Sequence, residues 1–399
     1  MADKSGLILY FITDPLLGIE TANSVARIEM AKAFCRQKQV KKVYFHNMAE
    51  SKKKLQSLRL SDISERLVIK PLFFKRYREK VLHGRSFLAF CYKLFFASPV
   101  ILLRAFFIAL IVRKTDRVYI RGLESLFGFY FGSLISGAEY VFEQHNYTFG
   151  RNRLSDFFYR RFMKRSEFIV TVSEYTKHNW VENGIAAAKI IVLPSGVSIE
   201  DFDSISKSKD ELRKELGLAN DKKIITYMGG LYDNRGIEEL LYCASEYRDY
   251  LFLFLGGVEK HIEKYKLYMQ QQFQEQLQNA MFRGYVKHDT IASHLKASDI
   301  LAAPYSKKVE TAHHMSPVKL IEYMASRVPV ITVDLPRIRD VTCEDEVTFF
   351  QPDDADDLCA KIKHVFDNYQ QAKTKALKAY EKVKNFTWDK RAEKIVSLL

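Results

Sequence analysis

"YMGGLYDNRGIEELL", residues 227–241, decides how this chain folds. An apolar run ends in Gly229-Gly230, a short polar loop follows, and Gly236 opens a stretch with apolar residues at helical spacing. A strand that turns through glycines into a helix is the opening of a βαβ unit. Glycines at such a turn let the backbone approach a phosphate closely, and the amides and dipole of the helix start favour an anion. Arg235, inside the loop, offers a planar fork for phosphate oxygens. A plain strand-to-helix turn with a solvated arginine would use the same residues, so the surroundings must decide.

Outward from that turn, the pattern repeats. Strands fit 222–229, 250–256, 281–286, 300–304, 328–333 and 347–350, with helical patterns at 236–246, 260–278, 289–297, 317–326 and 355–371. The N-terminal half carries strands near 6–11, 43–46, 66–72, 117–121, 138–144, 167–173 and 189–194, with helices such as 20–36 and 152–165 between them. Alternation of this kind builds parallel sheets. A chain of 399 residues exceeds one ordinary core. "LPSGVSIEDFDSISKSKD", 193–210, has little periodicity and reads as a polar hinge. The expectation is an α/β protein of two doubly wound, Rossmann-like domains, 1–197 and 198–385, facing across a cleft at the carboxyl ends of both sheets. The amphipathic segment 386–399 would cross back onto the first domain.

A second stretch, "HHMSPVKLIEYMASRVPVI" at 313–331, reads as a helix followed by a strand. Ser316 suits the N-cap and Pro317 the first helical position, with Lys319 in the first turn. At helical spacing Glu322 shares a stripe with Val318, Ile321 and Ala325. A carboxylate one turn inside such a helix can accept two ribose hydroxyls. The alternative is a surface Lys319–Glu322 pair, worth roughly 0.2–0.5 kcal/mol. The apolar stripe argues against it, because an unpaired buried carboxylate is costly. His313 and His314 are adjacent, point apart and lack an acidic partner at ligand spacing, which speaks against a metal pair.

The net charge of +14 is lopsided: residues 1–200 hold 32 Lys/Arg against 17 Asp/Glu, and the remainder is nearly balanced. A basic half implies an anionic partner, and no nucleic-acid recognition motif accompanies it. "LFFASPVILLRAFFIALIV", 94–112, holds one charge in 19 residues. Arg104 near its middle and Pro99 as an expected kink argue against a membrane span. With the basic run "KRYREK" at 75–80, it suits a helix lying in the headgroups of anionic lipid; an ordinary buried helix is the alternative. The N-terminus reads as a strand rather than a signal peptide. The five cysteines are scattered with no CxxC spacing, which predicts reduced thiols and no structural zinc.

Taken in order, "FIVTVSEYTKHNW", "IIVLPSGVSIEDF", "YMGGLYDNRGIEEL", "FLFLGG", "FRGYV", "ASDILAAPY" and "SPVKLIEYMASRVPVI" resemble the GT-B glycosyltransferases of family 4, retaining enzymes that use nucleotide sugars. The resemblance covers nearly the whole chain. It implies that Glu322 is the ribose carboxylate and that Arg235 stands where the family binds the diphosphate with a lysine. His314 occupies the place of the family's first motif glutamate, and Gly230 that of an arginine whose charge Lys319 would supply. It implies further that Gly18, Gly229, Gly230, Gly257, Val286, His314, Ser316, Pro317, Val318, Lys319, Leu320 and Glu322 line the donor site, with His145, Arg235 and Lys319 catalytic. His145 could instead be a loop residue with a structural hydrogen bond. No cofactor or metal is implied, since "DDADD" at 353–357 reads as a helix start and not as a metal-binding pair. The implied partners are a nucleotide-sugar donor, a lipid-linked or saccharide acceptor and an anionic membrane, and the implied location is the cytoplasmic face of the plasma membrane. A nucleotide-sugar 2-epimerase, or a degenerate transferase serving as a membrane-binding module, are the alternatives.

Overall fold

The computed structural model describes residues 6–14, 22–48, 65–71, 98–145, 147–150, 152–308 and 317–399. Gly18, His313, His314, Ser316 and the basic run 75–80 lie outside the described residues. The chain divides into two compact units, Met1–Pro194 with Trp388–Leu399, and Ser195–Thr387.

In the first unit the order is β1 (Leu7–Thr13), α1 (Ala22–Arg36), β2 (Val40–Met48), β3 (Leu67–Pro71), α2 (Ser98–Ile111), β4 (Arg117–Arg121), α3 (Leu123–Ser136), β5 (Val141–Glu143), α4 (Arg153–Arg165), β6 (Ile169–Thr171), α5 (Glu174–Glu182) and β7 (Ile190–Val192). In the second follow α6 (Glu200–Asp203), α7 (Lys209–Leu216), β8 (Lys223–Met228), α8 (Ile237–Glu246), β9 (Tyr250–Leu255), α9 (Glu259–Phe273), β10 (Ala280–Gly284) and α10 (His288–Lys296). It continues with β11 (Ile300–Ala303), α11 (Val318–Ala325), β12 (Val330–Val333), α12 (Pro336–Arg339), β13 (Thr348–Phe350), α13 (Ala355–Asp367) and α14 (Tyr369–Val383). The last helix, α15 (Trp388–Val396), returns to the first unit.

The described residues form two parallel sheets, ordered β3-β2-β1-β4-β5-β6-β7 and β10-β9-β8-β11-β12-β13. Strand order therefore reverses between β1 and β4 in one sheet and between β8 and β11 in the other. In open α/β sheets, ligands collect outside the carboxyl ends at such points.

Side-chain alternation explains why both faces are covered. On β1, Leu9 and Phe11 join one core with Phe34 of α1 and Trp388 and Ile395 of α15, while Ile12 joins the opposite core with Ile108, Phe129 and Phe162. Each such side chain contributes about 1.5–3 kcal/mol by leaving water. In the second unit one continuous core runs from Leu253 and Leu301 in the sheet to Leu241, Ile321 and Leu358 on its helices.

Four local expectations need correction. The 193–210 segment is not all turn: α6 lies within it, and Ser208 and Glu211 form a reciprocal capping box that starts α7. The helical pattern at 355–371 breaks at Asn368 into α13 and α14. Pro99 starts α2 instead of kinking it, because a helix's first turn needs no proline N–H. Cys243 of α8 and Cys359 of α13 form a disulfide with Cα atoms 5.4 Å apart. Their 116-residue separation is closed only by packing of the two helices, which spacing along the chain does not register. Asp354 does cap α13, accepting from the Asp357 amide at 2.9 Å, so the acidic run starts a helix.

Candidate functional site

The second unit gathers cations at its reversal point. β8 delivers Tyr227 and ends at Met228, just before Gly229; the loop to α8 carries Arg235; Tyr305 follows β11; and α11 presents Lys319 and Glu322. The buried Tyr323 pins α11 to the sheet, its hydroxyl accepting from the Met228 amide at 2.7 Å and donating to the Ala302 carbonyl at 3.4 Å. Tyr227 donates to the Gly230 carbonyl at 2.9 Å, and the Ser306 amide donates to the Asn234 carbonyl at 3.2 Å, which shapes the arginine loop. Gly236 has φ +73°, and a Cβ there would sit 1.7 Å from the Pro304 carbonyl oxygen, so no side chain fits that turn.

Among the described residues Lys319 has no carboxylate within 4.0 Å. Its ammonium lies 3.8 Å from the centre of the Tyr227 ring and 4.9 Å from that of Tyr305, and the Arg235 guanidinium lies 5.6 Å from the Tyr305 ring centre. Cation–π contact is a weak substitute for a counter-ion. Among the described residues, neither cation forms an ion pair within 4.0 Å. Burial pushes Lys319 well below its ordinary range and repulsion from Arg235 adds to this, with Glu322 opposing. Burial pushes Glu322 up to about 7; Lys319 opposes that rise and Asp201 adds to it. The pocket is thus electrostatically frustrated: a cation short of negative charge stands beside a carboxyl short of hydrogen bonds. Gly229 keeps the centre open, since a Cβ there would lie 3.0 Å from the Lys319 ammonium.

The helix itself differs from expectation in two respects. Pro317 is the N-cap residue, non-helical at φ −79° and ψ 64°, and helical geometry begins at Val318. The fully buried face is Leu320, Ile321, Tyr323, Met324 and Ala325, whereas Val318, Lys319 and Glu322 form a partly open side. Glu322 therefore shares its face with Lys319 and not with Ile321. Leu320 has its side chain in the core, leaving only its backbone for a ligand. Gly230 is partly exposed beside the Tyr232 ring. Gly257 follows β9 and Val286 follows β10, one and two strands from the reversal point.

His145 belongs to the first unit, just beyond β5. Its Nε2 bonds the Glu143 carboxylate, and its Nδ1 lies 3.5 Å from Arg121 Nη2. Burial pushes His145 down to about 4, Arg121 adding to this and Glu143 opposing, so the ring is neutral at pH 7. Glu143 is enclosed, with Arg391 of α15 at 3.0 Å, Arg121 at 3.5 Å and the Tyr119 hydroxyl donating to it. Burial alone would raise this carboxyl, but Arg391 and His145 hold it below its ordinary value. Sequence reading missed the cluster: nothing in the spacing joins Glu143 to Arg391, far down the chain. Tyr227 and Tyr305 were missed as well, although aromatics at strand ends beside a predicted phosphate loop were an available signal.

Among the described residues no group of three or more His, Cys, Asp or Glu could hold a metal ion. No described helix is long and apolar enough to cross a membrane.

Two family profiles match the chain, one described as "Glycosyl transferases group 1" over residues 208–384 and one as "Glycosyltransferase Family 4" over 70–201. The processive diacylglycerol alpha-glucosyltransferase of Acholeplasma laidlawii is 20% identical over 186 residues, 46% of this chain and 54% of that protein. The putative colanic acid biosynthesis glycosyl transferase WcaI of Escherichia coli K12 is 29% identical over 152 residues, 37% of this chain and 36% of that one. The chain thus spans about half or less of the length of these curated relatives. Among solved structures, Anabaena HepE in complex with UDP and glucose superposes with a TM-score of 0.72 at 14% identity, covering 98% of this chain and 100% of that one. A Rickettsia africae glycosyltransferase gives 0.75 at 17%, covering 99% and 98%. These likenesses establish the GT-B fold.

Proposed function

We propose that this chain, a family 4-like glycosyltransferase of the GT-B fold, transfers a sugar from a nucleotide-diphosphate sugar with retention of configuration. The observation that carries the reading is the pair of cations, Lys319 and Arg235, held at the β8/β11 reversal point against rings instead of carboxylates. A diphosphate is the ligand that relieves such an arrangement. That the solved structure of Anabaena HepE contains UDP supports the choice of nucleotide.

In this reading the Arg235 fork, the Lys319 ammonium and the amide end of α11 stabilise the charge that grows on the diphosphate as the sugar–oxygen bond breaks. Glu322 accepts the ribose hydroxyls. The acceptor hydroxyl attacks on the face the leaving group departs from, the new sugar–oxygen bond forms, and the hydroxyl proton passes to the departing phosphate oxygen. Neutral His145, its Nε2–H donating to Glu143, orients the transferred sugar and takes no part in the proton transfer. No step requires a metal.

The acceptor in this proposal is lipid-linked, or a glycolipid or polysaccharide intermediate, presented at the inner face of the plasma membrane. Support comes from α2 and α3, which pack together and expose Phe107 (58%), Ile111 (70%) and Ile135 (72%), with exposed Arg113 and Lys114 following α2. Apolar side chains beside cations suit the headgroup region of an anionic bilayer. A thermal-shift screen across nucleoside diphosphates and their sugars tests the reading. One diphosphate series should stabilise the chain, and the stabilisation should vanish in Arg235→Ala. No response to any nucleotide would contradict it.

A further inference from the structure

The first unit has its own reversal point, between β1 and β4, and cations collect there too. Arg121 is the last residue of β4 and pairs with Thr13 of β1. Arg27 extends from the second turn of α1, and its Nη1 donates to the Asp14 carbonyl at 3.0 Å. Arg391 reaches in from α15, donating to the Leu193 and Pro194 carbonyls and pairing with Glu143.

Among the described residues two carboxylates neighbour these three guanidiniums, Glu143 and, beside Arg27, Asp14. Arg121 and Arg391 lie within 4.0 Å of Glu143, and Arg27 forms no ion pair among the described residues. The Asp14 carboxylate attracts Arg27 but is spent on the start of α3, accepting from the Ser125 amide at 2.9 Å, the Ser125 hydroxyl at 3.0 Å and the Glu124 amide at 3.4 Å. Arg27 Nε is buried and has no acceptor among the described residues. Among the described residues Arg121 offers Nη2 only to Asn23 at 3.3 Å and to the His145 ring at 3.5 Å, both long. Among the described residues three guanidiniums face two carboxylates, and a buried guanidinium donor without an acceptor in such a group marks a place built for an anion. The cluster is not sealed: Asn23 is exposed, and Arg27 and His145 are partly open.

We propose that Arg27 and Arg121, with Asn23, form an anion subsite at the carboxyl ends of β1 and β4 that holds a phosphate group of the acceptor. A phosphate supplies acceptor oxygens for Arg27 Nε and Arg121 Nη2 and offsets the surplus charge left by Glu143. Its assignment to the acceptor rests on the transfer reaction proposed above; the anion site itself does not. The phosphate has two sources of the same chemistry, a lipid phosphate or a sugar phosphate.

The test keeps the two units apart. The full chain carrying Arg235→Ala, which impairs the donor site, is titrated with inorganic phosphate and pyrophosphate while the His145 ring resonances are followed by NMR. Saturable shifts are expected, and Arg27→Gln in the same background should weaken binding at least tenfold. Arg27 lies on the partly exposed side of a helix, so that variant is expected to fold, and Arg27→Lys should restore part of the affinity. A water-soluble short-chain phosphatidic acid and a hexose phosphate then compete with phosphate, and the stronger competitor identifies the source. Non-saturating shifts, an Arg27→Gln titration equal to the parent's, or competition by neither compound would overturn the proposal. Nucleotide binding by the Arg27→Gln single variant reports separately on the donor site.

Discussion

Each unit brings arginines or lysines to the carboxyl ends of its sheet, and the two solve the resulting repulsion differently. Around β1, β4 and β5 a buried glutamate draws in Arg121 and Arg391, leaving the charges largely paired. Around β8 and β11, among the described residues, no carboxylate is within 4.0 Å of Lys319 or Arg235, and aromatic rings stand in. A cluster built round a shared carboxylate is architecture first, because most of its charge is already paired and only Arg27 is left over. An unpaired one is waiting for a ligand, because bound anion is the cheapest way to satisfy it. Under the proposed reaction, the difference gives structural weight to Glu143 and catalytic weight to Arg235.

That contrast can be broken most severely through Glu143. Glu143→Gln leaves buried guanidiniums without their counter-charge and should cost about 3–5 kcal/mol of stability, read from denaturant unfolding. A loss below about 1 kcal/mol would mean that the first cluster is not held by this carboxylate. Arg235→Ala should show the opposite profile. Unfolding stays near the parent's, while turnover falls roughly 100- to 1,000-fold, as for loss of an oxyanion-type donor. Turnover near the parent's would remove Arg235 from the mechanism.

A smaller effect comes from pH. The Glu322 carboxyl sits at about 7 in the free chain, above its ordinary value. The folded state therefore holds this proton more tightly than the unfolded chain does. Glu322's contribution to stability is full below the ordinary carboxylate range and is lost as pH rises through about 7. Ribose hydroxyls favour the ionised form, so nucleotide-sugar affinity should rise over the same window. A nucleotide sugar is the proper probe, as its diphosphate has no secondary ionisation to confuse the profile. In Glu322→Gln the slope should flatten and affinity fall about tenfold, the worth of one charged hydrogen bond. An unchanged slope would dissociate Glu322 from the ribose.

The mildest test concerns the basic first unit. Binding to anionic liposomes should exceed binding to neutral ones and weaken as salt is raised through the physiological range. Equal binding to both vesicles would leave the apolar faces of α2 and α3 without their electrostatic partner.

Much of the fold was legible because it rests on local chemistry. β-branched and aromatic runs such as "IITYM" and "LFLFL" set strands, and Gly229 and Gly236 mark a strand-to-helix turn. Arg235, Lys319 and Glu322 were legible as a set because loop, helix start and helix face all fall at one sheet end. What escaped depended on packing between distant segments. Arg391 meets Glu143, and Cys243 meets Cys359, only after helices dock. The capping box at Ser208 and Glu211 was a local signal that the polar character of its segment obscured. The face that Glu322 occupies was misassigned because helical spacing places it at the margin of the apolar stripe, and only the sheet decides which side is covered.

The most direct measurement is a crystal structure of the full chain with its nucleotide-sugar donor bound. The account predicts phosphate oxygens within hydrogen-bond reach of Arg235 and Lys319, with both ribose hydroxyls on Glu322. A diphosphate bound away from the ends of β8 and β11, or Glu322 turned to bulk solvent in that complex, would contradict it.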